Sequence, residues 1–273
     1  MPELPEVETV CRGLRGVLEG RQLARVELRR KDLRIPFPKG FAAALTGRTV
    51  RRIERRAKYI LFHLDDGQAA IIHLGMAGRM QITDPATPLA KHDHVIFTTD
   101  KGVQIRFNDP RRFGLMTLTA DAALSQHKLF RHLGPDPLSD TFTPAALSAA
   151  LKGRKTSIKV ALLDQRIVVG IGNIYACEAL QRAGIAPKRK AGTVAGARAA
   201  LLVPAIKDIL RDAIAAGGSS LRDHVQPSGE LGYFQHAWRV YGREGEPCLC
   251  NRGTVQRIVQ GGRSTFFCRR CQT

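Results

Sequence analysis

The spacing of apolar residues divides the chain into a helical start, a central region of short strands and a helical second half. After Pro5, apolar residues recur at helical spacing as far as Leu18, and Gly20 ends the run. From about residue 23 to residue 120 the pattern becomes that of β-strands, with runs such as Tyr59 to Leu64 between turn residues. This pattern predicts a helix-flanked β-sandwich of mostly antiparallel strands.

Helical spacing returns after residues 134–140, which are rich in Pro and Gly and typical of a linker. A Thr-Pro pair predicts a capped helix over about 143–151, and a longer helix is predicted over about 193–216, interrupted at Pro204. Two further predicted helices meet at Gly170–Asn173. Because a helix precedes these glycines, they indicate a helix–two-turn–helix element and not a dinucleotide-binding loop.

Composition and charge limit the class of function. The chain has 273 residues, of which 44% are hydrophobic, and this is enough for a folded core. It carries 43 Lys and Arg against 24 Asp and Glu, a formal net charge of +19. That excess favours nucleic acid over a membrane as partner, because no basic amphipathic anchor stands out. With no transmembrane-length stretch and no signal-peptide core, we expect a cytoplasmic protein.

Four of the six cysteines lie close together at the end of the chain: Cys248, Cys250, Cys268 and Cys271. They form a Cys-x-Cys pair, a spacer of seventeen residues and a Cys-x-x-Cys pair, and Gly261–Gly262 predicts a hairpin turn in the spacer. Two thiol pairs in a chain without a secretion signal favour metal binding over disulfides. We expect one structural zinc ion held by four thiolates.

These patterns together predict an α+β fold. It consists of an N-terminal helix-flanked antiparallel β-sandwich, a C-terminal helical domain with the helix–two-turn–helix, and a β-hairpin zinc finger. The expected boundaries are residues 1–133 for the sandwich, 134–140 for the linker, 141–240 for the helical domain and 241–273 for the zinc finger.

The first six residues carry candidate catalytic chemistry. If Met1 is removed, Pro2 has a free secondary amine, which can attack a sugar carbon and form an iminium intermediate. Glu3 and Glu6 are then candidate acid–base groups beside it. The alternative is that Pro5 and its acidic neighbours do no more than start a helix.

Three clusters in the strand region indicate contact with nucleic acid. The charge density of residues 51–58 suits a strand facing phosphates, or equally an edge strand protected by charge. Met76 lies between glycines, and Phe113 follows two arginines. Each side chain is suited to insertion into a base stack, although Met and Phe are more often found in a protein core. His92 fits a hydrogen bond or a DNA contact better than a metal site, because neighbouring strand residues face opposite sides.

Five motifs occur in the order found in bacterial formamidopyrimidine-DNA glycosylases, and the chain resembles that family along its length. The motifs are Pro2–Glu6, His73–Met76, Asp109–Gly114, Gly170–Tyr175 and the cysteine tail. The resemblance implies a monomeric repair enzyme that acts on double-stranded DNA containing damaged bases and needs no membrane. Such an enzyme removes 8-oxoguanine and formamidopyrimidines and then cleaves the abasic site by β,δ-elimination. The family's tail normally begins with Cys-x-x-Cys, so the Cys-x-Cys pair here is a departure.

The resemblance also implies roles for individual residues. Pro2 would attack C1′ and form the Schiff base, Glu3 would donate or shuttle a proton, and Lys58 and Arg263 would assist β- and δ-elimination. DNA contacts would fall on four residues: His92, Arg111, Arg154 and Asn173. The trio that fills the gap left by the extruded nucleotide would be Met76, Arg111 and Phe113. The Gly- and Ser-rich residues 217–235 are expected to form a lid over the base.

Two other interpretations stay open. An endonuclease VIII-like glycosylase acts on oxidised pyrimidines, and Leu4 and the Arg111–Phe113 turn favour the purine enzyme through resemblance alone. A non-catalytic zinc-finger DNA-binding protein would need the charge and the cysteine tail but neither Pro2 nor Glu3. An RNA-binding module is disfavoured because aromatic residues make up 6% of the chain and no stacking-sheet motif occurs.

Overall fold

The chain folds into two compact units, named here unit 1 and unit 2. The structure, a computed structural model, describes residues 1–219, 227, 229 and 232–273. Unit 1 comprises Met1–Arg131 and Ala216–Gln235, and unit 2 comprises His132–Ala215 and His236–Thr273.

Among the described residues, unit 1 contains two helices and eight strands. The helices are α1 (Leu4–Leu18) and α2 (Phe41–Leu45), and the strands are β1 (Arg21–Leu28), β2 (Thr49–Arg56), β3 (Tyr59–Leu64), β4 (Gln68–His73), β5 (Arg79–Thr83), β6 (Asp93–Thr99), β7 (Gln104–Asn108) and β8 (Leu115–Ala120). Unit 2 contains four helices and a hairpin: α3 (Pro144–Leu151), α4 (Ile158–Leu162), α5 (Asn173–Arg182), α6 (Ala197–Ala215), β9 (Val255–Gln260) and β10 (Arg263–Cys268).

Helix α1 forms where the apolar spacing predicts it. Its buried side chains recur every three or four residues and include Leu4, Val7, Val10, Cys11, Leu14 and Leu18. Pro5 lies in the first turn, where its missing N–H breaks no helical hydrogen bond. Gly20 follows the helix with a φ of +73°, a left-handed conformation that suits glycine. The packed face of α1 therefore holds the N-terminus rigidly against unit 1.

The eight strands are hydrogen-bonded in the order β5-β7-β6-β1-β2-β3-β4-β8, and neighbouring strands are antiparallel. Strand β1 joins the two halves, because Arg21 and Gln22 pair with β2 whereas Leu23–Leu28 pair with β6. Phe62 on β3 and Phe97 on β6 meet edge to face with their ring centroids 5.8 Å apart. The predicted antiparallel β-sandwich flanked by a helix is confirmed.

Helix α6 corrects one expectation. The interruption predicted at Pro204 is wrong, because α6 continues from Ala197 to Ala215 with Pro204 inside it. Apolar side chains on either side of the proline, including Val203 and Ile206, are buried. Their packing outweighs the hydrogen bond that proline cannot donate.

Within the described ranges, no helix has both the length and the apolar character needed to cross a membrane.

Candidate active site and metal centre

The first residues of the chain are buried and fixed by one carboxylate. Pro2 and Glu3 are both buried, and Glu3 caps the N-terminus of α1. The Glu3 amide donates to Glu6 Oε2 at 2.8 Å, and the Ser219 amide donates to Glu6 Oε1 at 2.9 Å. Gly218, with a φ of +80°, packs against the Glu6 side chain. Glu6 therefore ties the start of the chain to residues 218–219.

The predicted lid is described only in part. Residues 220–226, 228, 230 and 231 of the segment 217–235 lie outside the described residues, including Ser220 and Arg222, which the sequence suggests as hydrogen-bonding groups. Ser219 is described, and its amide contacts the Glu6 carboxylate near the start of the chain.

Lys58 lies in a two-residue turn between β2 and β3. Ala57 adopts a φ of +56°, a left-handed conformation uncommon for a residue other than glycine, and Lys58 is buried. At the end of β4, burial is the main cause that lowers the pKa of His73 to about 4, with smaller contributions from the positive charges of Lys58, Arg34 and the Met1 amine.

Two turns that carry exposed apolar side chains lie against each other. Met76 is 39% exposed and Phe113 is 45% exposed, so both side chains are accessible to a partner. Gly75 has a φ of +69°, and a Cβ there would clash with the backbone of Phe113 and Gly114. The Arg111 guanidinium lies 5.0 Å from the centroid of the Phe113 ring. The structure thus brings Met76, Arg111 and Phe113 together.

The basic run of β2 is largely engaged within unit 1. Arg52 forms an ion pair with Glu54 at 3.0 Å, Arg55 forms one with Glu8 at 3.2 Å, and the Arg56 guanidinium lies 4.7 Å from the ring centroid of Phe130. Strand β2 therefore presents fewer unpaired charges than its sequence indicates.

His92, just before β6, is half-buried, and its carbonyl accepts the Asp109 amide at 3.0 Å.

Unit 2 carries the other predicted DNA contacts. Arg154 is half-buried, with its Nη1 3.6 Å from Asp164 Oδ2. Asn173 begins α5, and its Nδ2 donates to the Ser264 carbonyl of β10 at 2.9 Å. Arg263 is exposed at the start of β10, directly after the two-glycine turn. The bond from Asn173 thus links the start of α5 to the strand that bears Arg263.

The four clustered cysteines form a candidate metal site. Their Sγ atoms all lie within 4.8 Å of one another, and the Cys248–Cys271 and Cys250–Cys268 sulfur pairs are each 3.8 Å apart. A tetrahedral zinc ion with bonds of about 2.3 Å has sulfur–sulfur edges of about 3.8 Å, so the residues fit. Asn251, with a φ of +54°, turns the chain directly after the short Cys-x-Cys pair.

Without a metal, the four neighbouring thiols differ in acidity. The Arg252 amide is the largest cause that lowers the pKa of the Cys250 thiol to about 7, whereas burial raises the pKa of Cys248 and raises that of Cys271 to about 12. The thiolate is the form that binds metal.

Glu178 is a buried structural residue that the sequence pattern does not reveal. It is fully buried on α5, and its carboxylate accepts the backbone amides of Arg239, Val240 and Tyr241 at 2.8–3.0 Å. The sequence does give one hint, because Glu178 stands among apolar residues such as Cys177. A charged residue at a buried helix position is rare unless it is paired, so it indicates a buried partner. Glu178 holds the segment that leads into the cysteine hairpin.

Comparison with known proteins decides the family. The profile described as the formamidopyrimidine-DNA glycosylase N-terminal domain matches residues 1–116, and the formamidopyrimidine-DNA glycosylase H2TH domain matches residues 133–225. The chain belongs to the formamidopyrimidine-DNA glycosylase family. It is 58% identical to the formamidopyrimidine-DNA glycosylases of Ruegeria pomeroyi and Acidiphilium cryptum, with all of each chain covered.

Solved glycosylase structures agree with this assignment. The crystal structure of MutM (Fpg) from Thermus thermophilus matches with a TM-score of 0.89 and 37% identity over 99% of this chain and 98% of that one. A Lactococcus lactis Fpg mutant in complex with Fapy-dG-containing DNA matches with a TM-score of 0.92 and 33% identity, with both chains fully covered. The expected α+β glycosylase fold with a helix–two-turn–helix domain is confirmed.

Proposed function

We propose that this protein removes oxidised purines, including 8-oxoguanine and formamidopyrimidines, from double-stranded DNA and then cleaves the abasic site. Membership of the glycosylase family assigns it to base-excision repair. The Lactococcus lactis relatives were solved with Fapy-dG-containing and abasic-site DNA, which is consistent with a damaged duplex as substrate. We place this activity on chromosomal DNA in the cytoplasm.

The observation that carries the proposal is the rigid, buried start of the chain. Pro2 is buried and directly precedes Glu3, whose amide is fixed by Glu6. Once Met1 is removed, the secondary amine of Pro2 is held in place, and a nucleophile gains most when its approach is fixed in advance.

In the proposed reaction, the Pro2 nitrogen forms a bond to C1′ as the bond between C1′ and the damaged base breaks. The C1′–O4′ bond then breaks, with O4′ taking up a proton, and this ring opening gives the Schiff base, which makes the sugar susceptible to elimination. Glu3 donates or shuttles a proton during base loss, Lys58 donates a proton for β-elimination, and Arg263 assists δ-elimination.

The same proposal assigns the DNA contacts. His92, Arg111, Arg154 and Asn173 hold the DNA, and Arg111 with Met76 and Phe113 occupies the gap left by the extruded nucleotide. A base must leave the stack before its C1′ can be attacked, so wedge residues belong with a buried nucleophile. The exposure of Met76 and Phe113 supports this assignment.

We also propose that Cys248, Cys250, Cys268 and Cys271 hold one structural zinc ion. The sulfur–sulfur spacing of 3.8 Å supports zinc. Bound zinc would stabilise the hairpin, and its contribution would be to folding rather than to the reaction at C1′.

Borohydride trapping tests the proposed reaction. On a duplex with 8-oxoguanine opposite cytosine, we expect a covalent adduct that maps to Pro2. The matched control is a chain with one residue inserted before Pro2, which places that nitrogen in an amide while leaving Glu3 intact, and it should form no adduct. Tight binding without an adduct, from protein whose measured mass shows Met1 removed, would contradict the enzyme proposal. Preferential cleavage of thymine-glycol duplexes would instead favour the endonuclease VIII type.

A further inference from the structure

Asp109 is a fully buried aspartate at the start of the turn that carries Arg111 and Phe113. Its Oδ2 accepts the amide of Gly114, at the other end of the turn, at 2.8 Å. Its own amide donates to the carbonyl of His92 at 3.0 Å. The side chain therefore closes the turn end to end, and the backbone attaches it to the segment that begins β6.

The Asp109 carbonyl forms two more hydrogen bonds. It accepts the Arg112 amide at 3.2 Å and the Nε2 of buried His94 at 2.9 Å. Arg112 has a φ of +55°, so this arginine is held in a left-handed conformation that residues other than glycine rarely adopt. The bonds around Asp109 are what hold the backbone in this path.

The far end of the turn is equally constrained. A Cβ added at Gly114 would lie 2.6 Å from Cζ of Phe107 and 3.0 Å from Oδ2 of Asp109. Gly114 is buried, so its amide needs an acceptor inside the protein. Within the described residues, Asp109 Oδ1 has no hydrogen-bond partner, so the bond from Oδ2 to Gly114 is the side chain's contribution to the turn.

We propose that Asp109 is a positioning residue that fixes the turn bearing Arg111 and Phe113, and so sets how readily the protein opens a base stack. This inference rests on the proposed function, since it concerns the wedge and not the attack on C1′. Asp109 acts through the backbone of the turn and touches neither the damaged base nor the Pro2 nitrogen. Its loss should therefore slow base extrusion more than the later chemistry.

The test compares Asp109→Ala with Asp109→Asn, whose amide oxygen still accepts from Gly114. Asp84→Ala is the matched control, because Asp84 Oδ1 accepts the Ala86 amide at 2.7 Å in an exposed turn. Opening of the stack is followed with 2-aminopurine next to 8-oxoguanine, and base removal is followed under single-turnover conditions. An orphaned buried amide corresponds to roughly a tenfold effect or more. We expect D109A to slow both steps by about that factor, D109N to regain most of the loss, and D84A to match the unchanged protein.

A double-mutant cycle with Phe113→Ala separates positioning from general destabilisation. If Asp109 acts through the wedge turn, D109A should cost little further in the F113A background. Should D109A fail to fold, His94 carries the same test. His94→Phe removes the donor to the Asp109 carbonyl, and His94→Gln keeps a donor at the position of Nε2. We expect H94F to slow opening and H94Q to restore it.

Trapping on a single-stranded oligonucleotide with a ready-made abasic site isolates the chemistry, because no stack has to open. We expect D109A to form this adduct at a rate within about twofold of the unchanged protein, a difference too small to count as a lost interaction. Equal loss on both substrates, or additive effects of D109A and F113A, would overturn the wedge assignment. Absence of the adduct in the unchanged protein would instead overturn the proposed function, and the 2-aminopurine signal would still report on the turn.

Discussion

The carboxylate of Glu6 offers the sharpest test of how the N-terminus is held. Glu6 is 3% exposed, and its two oxygens accept the amides of Glu3 and Ser219 at 2.8 and 2.9 Å. In Glu6→Gln, one oxygen becomes an NH₂ group that cannot accept, so one backbone amide loses its acceptor and faces another donor. In Glu6→Ala, both amides lose their acceptors.

The expected magnitude follows from those two bonds. Leaving one buried donor without a partner costs about 1–3 kcal/mol, so E6Q should lower the free energy of unfolding by about that amount. E6A should cost about twice as much, before any contribution from the cavity it leaves. Because Glu3 directly follows Pro2, both variants should also slow borohydride trapping at Pro2.

Urea denaturation and trapping on the 8-oxoguanine duplex measure the two effects. Glu8→Gln is the control, since Glu8 lies on the same helix but binds the side chains of Arg12, Arg15 and Arg55. Arg12 and Arg15 can turn towards water when the charge is removed, and the amide oxygen of E8Q can still accept from the more buried Arg55, so E8Q should cost less than E6Q. Equal losses for E6Q and E8Q would refute the reasoning. A destabilised E6Q that traps at the normal rate would limit Glu6 to stability.

Three further predictions concern other parts of the molecule. Metal analysis should find about one zinc per chain, and Cys250→Ser should lower that content, whereas zinc-free protein that still cleaves DNA would contradict the metal assignment. Hydrogen bonding to Glu54, with a further bond to Asp121, raises the pKa of His63 above 6.5. The stability from this protonated His63 is complete below pH 6.5 and is lost as the pH rises through the raised pKa, so His63→Gln should flatten that decline in urea unfolding. Glu178→Gln should leave a backbone amide of residues 239–241 without its acceptor and cost about 1–3 kcal/mol in denaturant unfolding, with an unchanged midpoint as the contrary result.

Local patterns in the sequence predicted the elements but not the contacts between them. Helix α1, strand β3 and the helix from Pro144 to Leu151 lie where periodicity, turn residues and caps predicted them, because each depends on neighbours within a few residues. The cysteine spacing likewise predicted a metal site, since two turns can place four sulfurs together. Pro204 shows the limit, because tertiary packing decided whether the helix continued.

The residues that fix the candidate site were beyond sequence patterns for a physical reason. Glu6 and Ser219 are separated by more than 200 positions, and nothing near either residue indicates the other. Glu178 reaches backbone amides about 60 positions away, and a backbone amide leaves no trace in side-chain patterning. Part of the pairing of the basic run on β2 was equally hidden from the sequence, because Glu8, the partner of Arg55, comes from another element. Contacts of this kind require the fold itself.

The carboxylates of Glu6, Asp109 and Glu178 all bind backbone amides inside the protein, and this bears on how the protein binds DNA. Each is buried; Glu6 accepts two backbone amides, Glu178 three and Asp109 one. A carboxylate that accepts amides can be buried without a paired cation, so these three acids add to the excess of 43 Arg and Lys over 24 Asp and Glu that can face phosphates. DNA affinity should then depend steeply on salt, whereas the fold should not, because buried bonds are screened far less than surface charges.

Titrations of fluorescence anisotropy and of urea unfolding at the same salt concentrations test this separation. Between about 50 and 200 mM salt, six or more phosphate contacts would weaken DNA binding by about a thousandfold or more. The unfolding midpoint should change little over the same range. A midpoint that falls in step with affinity would mean that exposed ion pairs hold the fold. An affinity that ignores salt would mean that the excess of positive charge does not contact phosphates. Either result would mean that burying these carboxylates against backbone amides does not leave cations free for phosphates.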